Sequence, residues 1–177
     1  MERDDAVTVR PGVTPIGSPM HITFRKLSDD RHALEISRDG QAPERVECET
    51  RSYLVHDLLH YAVESEARLE TGFWGSLAAG KTLAQMNDRT GQSMKDVPDM
   101  AAIEQLVGAL HESTKGRSAA EVLAGMQRFA MALGGTLPAW LTAPFIERVQ
   151  ERMRRLLGHW RATPYGGAME LTWPAGE

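Results

Sequence analysis

Two histidines four residues apart are the strongest candidates for chemistry in this sequence. They belong to the pattern His56-Asp57-x-x-His60, and Glu64 follows one helical turn later. On an α-helix, residues four apart lie about 6 Å apart along the axis and point the same way, so both imidazoles can reach one divalent ion. The spacing therefore predicts a metal site on a helix, with zinc or iron as the cofactor.

The carboxylates beside these histidines have several possible roles. Asp57 is predicted as a third metal ligand or as a hydrogen-bond acceptor for a ligating histidine. Glu64 lies about 12 Å from His56 along the helix axis, which is too far for one ion to hold both. Glu64 is instead expected to orient His60, to act as a general base or to bind a second ion, and it is the candidate catalytic residue.

Further ligands must come from outside this helix. His111 is the first choice because it falls at the edge of the apolar stripe of its own helix, and it is predicted as a ligand. His32, Glu66 and Glu70 come next. Two histidines with one or two carboxylates suit either hydrolysis of a small-molecule substrate by a metal-activated water or non-haem iron chemistry. The prediction is therefore a protein with a divalent-metal site on a helix, which would be hydrolase-like if the site is catalytic.

A second chemical pattern follows immediately. The segment Gly75–Thr82 reads GSLAAGKT and matches G-x-x-x-x-G-K-[ST], the phosphate loop of many nucleotide-binding proteins. Such a loop needs a buried strand before it and a parallel sheet around it. The preceding residues 68–74 are predicted as a helix end, and Val and Ile are scarce afterwards. The pattern therefore favours a helix-capping turn, with nucleotide binding as the less favoured alternative.

A non-catalytic interaction module is the main alternative to a metal enzyme. In this interpretation, the histidine face and an arginine-rich last helix contact a partner protein or a second copy of the chain. Arg148, Arg152 and Arg155 line one side of that helix, and only two glutamates lie near them in the sequence. A solvated helix surface gives the same pattern, both for these arginines and for the His56 and His60 pair with Asp57 and Glu64 beside it.

Composition places the chain among soluble globular proteins. It has 177 residues, of which 42% are hydrophobic and 25% charged, and its net charge is −4. This charge argues against a nucleic-acid-binding protein, which usually carries a basic domain or stripe. Neither a secretory signal nor an apolar membrane span is recognisable, and the single cysteine, Cys48, agrees with a reducing compartment. The predicted location is the cytoplasm, without membrane association.

Three short alternating segments predict an antiparallel sheet in the first third of the chain. They are residues 21–27, 32–38 and 44–49, separated by turn-like Asp and Gly residues. Residues 168–174 are a plausible fourth strand that returns to this sheet. The proline-containing residues 1–19 are predicted as a flexible or extended arm, and residues 20–177 as a single domain.

The remaining sequence predicts four or five helices. They are expected at about 52–70, at 77–87 with Ser76 as its cap, from Asp99 to Gly116, from the capping box Ser118-x-x-Glu121 to residue 133, and from Thr142 or Pro144 onward. In the first helix, the apolar arc leaves His56, His60 and Glu64 on the opposite side, off the core. The predicted fold is α+β, with the small antiparallel sheet packed against these helices.

Overall fold

The computed structural model describes residues 19–86, 100–112 and 116–174. The predicted N-terminal arm lies outside them except for its last residue. Within them, four strands and six α-helices form an α+β fold, which confirms the predicted class with one helix more than the upper estimate.

The strands form one antiparallel sheet in the order β3-β2-β1-β4. They are β1 (Met20–Lys26), β2 (Arg31–Ser37), β3 (Glu44–Glu49) and β4 (Ala168–Trp173). The first three make the predicted meander, and the C-terminal strand pairs with β1 as expected, with Phe24 opposite Met169. Because side chains alternate along a strand, Ile22, Phe24 and Leu34 share one buried face, on which the core is built.

The helices cover this face. They are α1 (Val55–Ala67), α2 (Phe73–Ala78), α3 (Leu83–Met86), α4 (Met100–Glu112), α5 (Ala119–Ala132) and α6 (Ala143–Ala162), and a π-helical turn (Thr50–Leu54) precedes α1. The capping box of α5 forms as predicted, and Thr142 caps α6 by accepting a hydrogen bond from the Phe145 amide. Within the described ranges, no helix is long and apolar enough to cross a membrane.

Helix α1 is the centre of the packing. It contacts α2, α4 and α6, and its Tyr61 hydroxyl donates a 3.0 Å hydrogen bond to the carbonyl of Thr172 in β4. The fully buried Trp74 packs between the rings of Phe24 and Tyr61, at centroid distances of 6.2 and 6.1 Å. These contacts tie α1 and α2 to the sheet and fix the elements that carry the candidate site.

The prediction that the histidine side of α1 lies off the core is wrong for two of its three residues. His60 and Glu64 are only 3% and 0% exposed, and His56 is half-buried. The start of α2 and the side of α4 cover this part of the helix. Because this part of α1 is packed on both sides, its buried polar side chains must find partners inside the protein.

The helix predicted at 77–87 with Ser76 as its cap is also wrong. Ser76 is buried inside α2, which ends at Ala78, and α3 begins only at Leu83. Gly80 separates them with a backbone φ of +101°, a conformation that ends a helix and favours glycine. The Arg38 guanidinium holds the resulting turn by donating hydrogen bonds to the carbonyls of Leu77 and Lys81.

Candidate metal centre

Three side chains from two helices meet in a group that could hold a metal ion. His56 and His60 come from successive turns of α1, and Glu104 comes from the first half of α4. One potential ligand atom from each lies within 4.8 Å of the other two. His60 Nε2 is 3.2 Å from Glu104 Oε1, and His56 Nε2 is 3.8 Å from Glu104 Oε2. Two imidazoles and one carboxylate are a common donor set for divalent zinc and iron.

Each histidine has a second carboxylate at its other ring nitrogen. His60 Nδ1 lies 3.2 Å from Glu64 Oε1, and His56 Nδ1 lies 3.5 Å from Asp57 Oδ1. A carboxylate at Nδ1 holds the hydrogen on that nitrogen and leaves Nε2 as the metal-binding atom. In both rings Nε2 is the nitrogen that faces Glu104, so the two histidines are oriented toward one point.

Glu64 is held in a fixed position behind His60. Its side chain is fully buried and accepts hydrogen bonds from the backbone amides of Phe73, at 3.0 Å, and Trp74, at 2.9 Å. Gly72 makes this approach possible, since a Cβ at that position would lie 2.6 Å from Glu64 Oε2 and the backbone φ is +148°. Glu64 therefore has two amides and one imidazole as partners, which is consistent with the predicted role of orienting His60.

The charges in this group reinforce one another. Hydrogen bonds with Asp57 and then with Glu104 raise the pKa of His56 from 6.5 to about 9. The same contacts, first with His56 and then with His60, hold the pKa of Glu104 well below its usual range. Burial acts to lower the pKa of His60, but its hydrogen bonds with Glu104 and Glu64 outweigh burial and leave the pKa raised. The carboxylates around the two imidazoles thus favour positive charge at this site, whether it comes from protons or from a metal ion.

The three residues line a cavity of about 660 Å³. The other walls come from β2, β3, the π-helical turn, α2 and α3. Asp57 of α1 and the half-buried Cys48 of β3 also line the cavity. Glu64 is absent from the lining, consistent with its full burial behind His60. A metal ion bound to His56, His60 and Glu104 would therefore be accessible to a small molecule in this cavity.

The structure brings together only part of the predicted ligand set. His56 and His60 converge, whereas Asp57 contacts His56 from the side and stands outside the three-residue group. His111 is exposed and lies seven residues after Glu104 on α4, about 10 Å further along the helix axis. The structure therefore places His111 away from the convergence point.

The other candidate ligands also lie elsewhere. His32 is fully buried on the inner face of the sheet, with its ring 6.0 Å from those of both Phe24 and Trp160. Glu66 forms ion pairs with Arg148 and Arg152 of α6. Burial lowers the pKa of His32, and its Nδ1 lies 3.3 Å from the Thr50 hydroxyl.

Glu104 is the functional candidate that sequence reasoning missed. A signal for it was present: residues seven apart return to nearly the same side of a helix, so Glu104 and His111 share a face of α4. The predicted ligand His111 thus lies on the same helix and the same face as Glu104, but two turns further along the chain. Only the packing of α4 on α1 determines which turn meets His60.

The segment Gly75–Thr82 has none of the geometry of a phosphate loop. Its first residues lie inside α2, and its turn directs carbonyl groups, not amides, at a side chain, since Leu77 and Lys81 accept from Arg38. Gly75 is required by packing, because a Cβ there would lie 2.1 Å from the carbonyl oxygen of Glu70. All four strands pair antiparallel, whereas a phosphate loop needs a parallel sheet. The glycines of the pattern therefore have a structural explanation.

Comparison of the chain with protein-family models, with curated proteins and with solved structures finds no match.

Proposed function

We propose that this chain is a metal-dependent hydrolase that acts on a small molecule, with one divalent ion held by His56, His60 and Glu104. The observation that carries the proposal is the convergence of two Nε2 atoms and a carboxylate at the wall of a large cavity. Such an ion acts as a Lewis acid and lowers the pKa of a coordinated water, the chemistry that hydrolysis needs.

The chain's own residues have distinct roles in this proposal. Glu64 and Asp57 fix the orientation of the two histidines, and their negative charges strengthen the imidazoles as ligands. Glu104, whose side chain is about half exposed and lines the cavity, would complete the donor set. Zinc is the expected ion because hydrolysis requires only water as co-reactant. Iron, which binds the same donors, is the alternative.

The test is hydrolysis by protein purified without a histidine tag and loaded with zinc or, under anaerobic conditions, with Fe(II). The substrates are chromogenic esters and amides of graded size. We expect activity in the wild type and in His111→Ala, and a loss of at least about 100-fold in His56→Ala and Glu104→Gln. His111→Ala is the matched control because it removes an exposed imidazole from the helix that carries Glu104. An inactive wild type, or equal activity in His56→Ala, contradicts the proposal.

A second candidate function, association with a partner protein or a second copy, has support at a different surface. Phe129, Met131 and Leu133 at the C-terminal end of α5 are 53%, 76% and 69% exposed. Phe129 and Leu133 are four residues apart and lie on the same side of the helix end, and exposed apolar side chains that share a face often mark interaction sites. The predicted histidine and arginine surface has less support, since His60 is buried and Arg148 and Arg152 pair with Glu66. Light scattering measures the molar mass of the wild type and of Leu133→Glu. Self-association at this surface predicts a wild-type oligomer that Leu133→Glu weakens, and a monomeric wild type contradicts self-association.

A further inference from the structure

The cavity beside the candidate metal centre has one apolar wall. The side chains that form it come from two neighbouring strands and the short α2 and α3 helices: Leu34, Val46, Phe73, Leu83 and Met86. Leu34 and Val46 are cross-strand partners of β2 and β3, and Leu83 and Met86 lie one turn apart on α3. The Phe73 ring is 6.1 Å from the His60 ring, so the apolar wall begins next to the metal-binding group.

This wall provides a binding surface for an apolar group. The cavity of about 660 Å³ can accommodate a molecule of roughly 10–13 heavy atoms with space remaining, and Val46 and Phe73 are only half-buried. Removing such surfaces from water is favourable in proportion to the apolar area buried. A substrate whose apolar part lies along this wall would place its polar end at His56, His60 and Glu104.

The rim of the cavity is more acidic than basic. Apart from the metal-binding group and Asp57, its charged side chains are Arg31, Glu47 and Glu49. Arg31 lies 3.6 Å from Glu47, and Glu49 accepts a 2.7 Å hydrogen bond from the Ser52 hydroxyl. The cationic charge of Arg31 is thus already paired, which makes the rim unfavourable for an anionic ligand group.

We infer that the substrate is an ester or amide with an apolar acyl chain and no negative charge. The chain lies along the apolar wall, and the carbonyl is placed at the metal-binding group. Hydrolysis then forms a bond between a water oxygen and the carbonyl carbon, breaks the bond to the leaving oxygen or nitrogen, transfers a proton to that atom and releases an acid and an alcohol or amine. The inference depends on the proposed function, because it uses the same ion.

Three hydroxamic acids test it by calorimetry on the zinc-loaded protein, because the hydroxamate group binds zinc in each. Acetohydroxamic acid lacks a chain, octanohydroxamic acid has an apolar one, and suberic acid monohydroxamate has a chain of the same length with a terminal carboxylate. We expect the octanoyl compound to bind at least about tenfold more tightly than acetohydroxamic acid, because its alkyl chain buries more apolar area on the wall. We expect the same preference over the suberic compound, because the terminal carboxylate of that compound meets the acidic rim. Equal affinities of all three overturn the inference.

Two variants test whether the alkyl chain binds at the apolar wall. Val46→Thr keeps the shape of a half-buried side chain on the edge strand β3 and replaces one methyl group of the apolar wall with a hydroxyl. We expect it to weaken octanohydroxamic acid by about threefold or more and to leave acetohydroxamic acid unchanged. Leu171→Thr, at a half-buried position on the opposite edge strand β4, is the control and is expected to change neither. An unchanged octanoyl affinity in Val46→Thr contradicts the location.

The zinc content distinguishes failure of the proposed function from failure of this inference. The zinc content of the protein is measured before each titration. Protein that does not retain zinc overturns the proposed function and this inference together. Protein that retains zinc and binds acetohydroxamic acid as tightly as octanohydroxamic acid keeps the metal centre and overturns only the apolar chain.

Discussion

The substitution Glu64→Gln tests whether this carboxylate orients His60. In the wild type, Oε1 faces His60 Nδ1 and the Phe73 amide, and Oε2 faces the Trp74 amide. A glutamine has one accepting oxygen, so in either orientation its NH₂ group faces at least one donor. A buried donor without an acceptor costs about 1–3 kcal/mol. We expect the free energy of unfolding to fall by this amount, and metal affinity to fall by about 10–100-fold.

Urea unfolding of EDTA-treated protein measures the first effect, and competition with a zinc-binding dye measures the second. Glu70→Gln is the matched control, because Glu70 is an exposed glutamate near the same turn and its replacement is expected to change the free energy of unfolding by less than about 0.5 kcal/mol. If Glu64→Gln unfolds like the wild type and binds zinc equally well but loses hydrolytic activity, the side chain is a general base and the orienting role is refuted.

Other predictions concern pH and the glycine-rich segment. The folded chain raises the pKa of His56 from 6.5 to about 9, so the stabilisation from its ion pairs is complete below pH 6.5 and is lost as pH rises to 9. The difference in unfolding free energy between metal-free wild type and His56→Gln should therefore shrink across this window; a constant difference contradicts the pairing. Zinc affinity should rise over the same window because the ion displaces these protons. Gly75→Ala should lower the melting temperature by at least about 2–4 °C, because its Cβ would meet the Glu70 carbonyl. Neither Mg-ATP nor Mg-GTP should raise the melting temperature of the wild type; a nucleotide-dependent rise would restore the phosphate-loop interpretation.

The fold follows from local sequence signals where those signals are strong. Alternation of apolar and polar residues located β1 to β3, and the Ser118–Glu121 capping box and Thr142 marked the starts of α5 and α6. The segment from Gly72 to Met86 was harder, because its helices have six and four residues. Helices this short are determined by tertiary contacts rather than by their own periodicity.

The candidate site shows the same division. Helix periodicity is a local property, so it placed His56 and His60 side by side. The burial of His60 and the choice of Glu104 depend on how α4 packs on α1, and that information lies in long-range contacts. The apolar stripe of a helix identifies the side that packs against the core. It does not show whether a second helix also covers the polar side.

The metal content of protein purified without a histidine tag tests the central claim most directly. After growth in zinc-supplemented medium, mass spectrometry of the metals should find one zinc or iron ion per chain in the wild type and in His111→Ala. The same measurement should find none in His56→Ala and Glu104→Gln, since each removes one of the three converging ligands. A wild type without metal, or a Glu104→Gln protein that retains its ion while His111→Ala loses it, would contradict the assignment of His56, His60 and Glu104 as the metal centre.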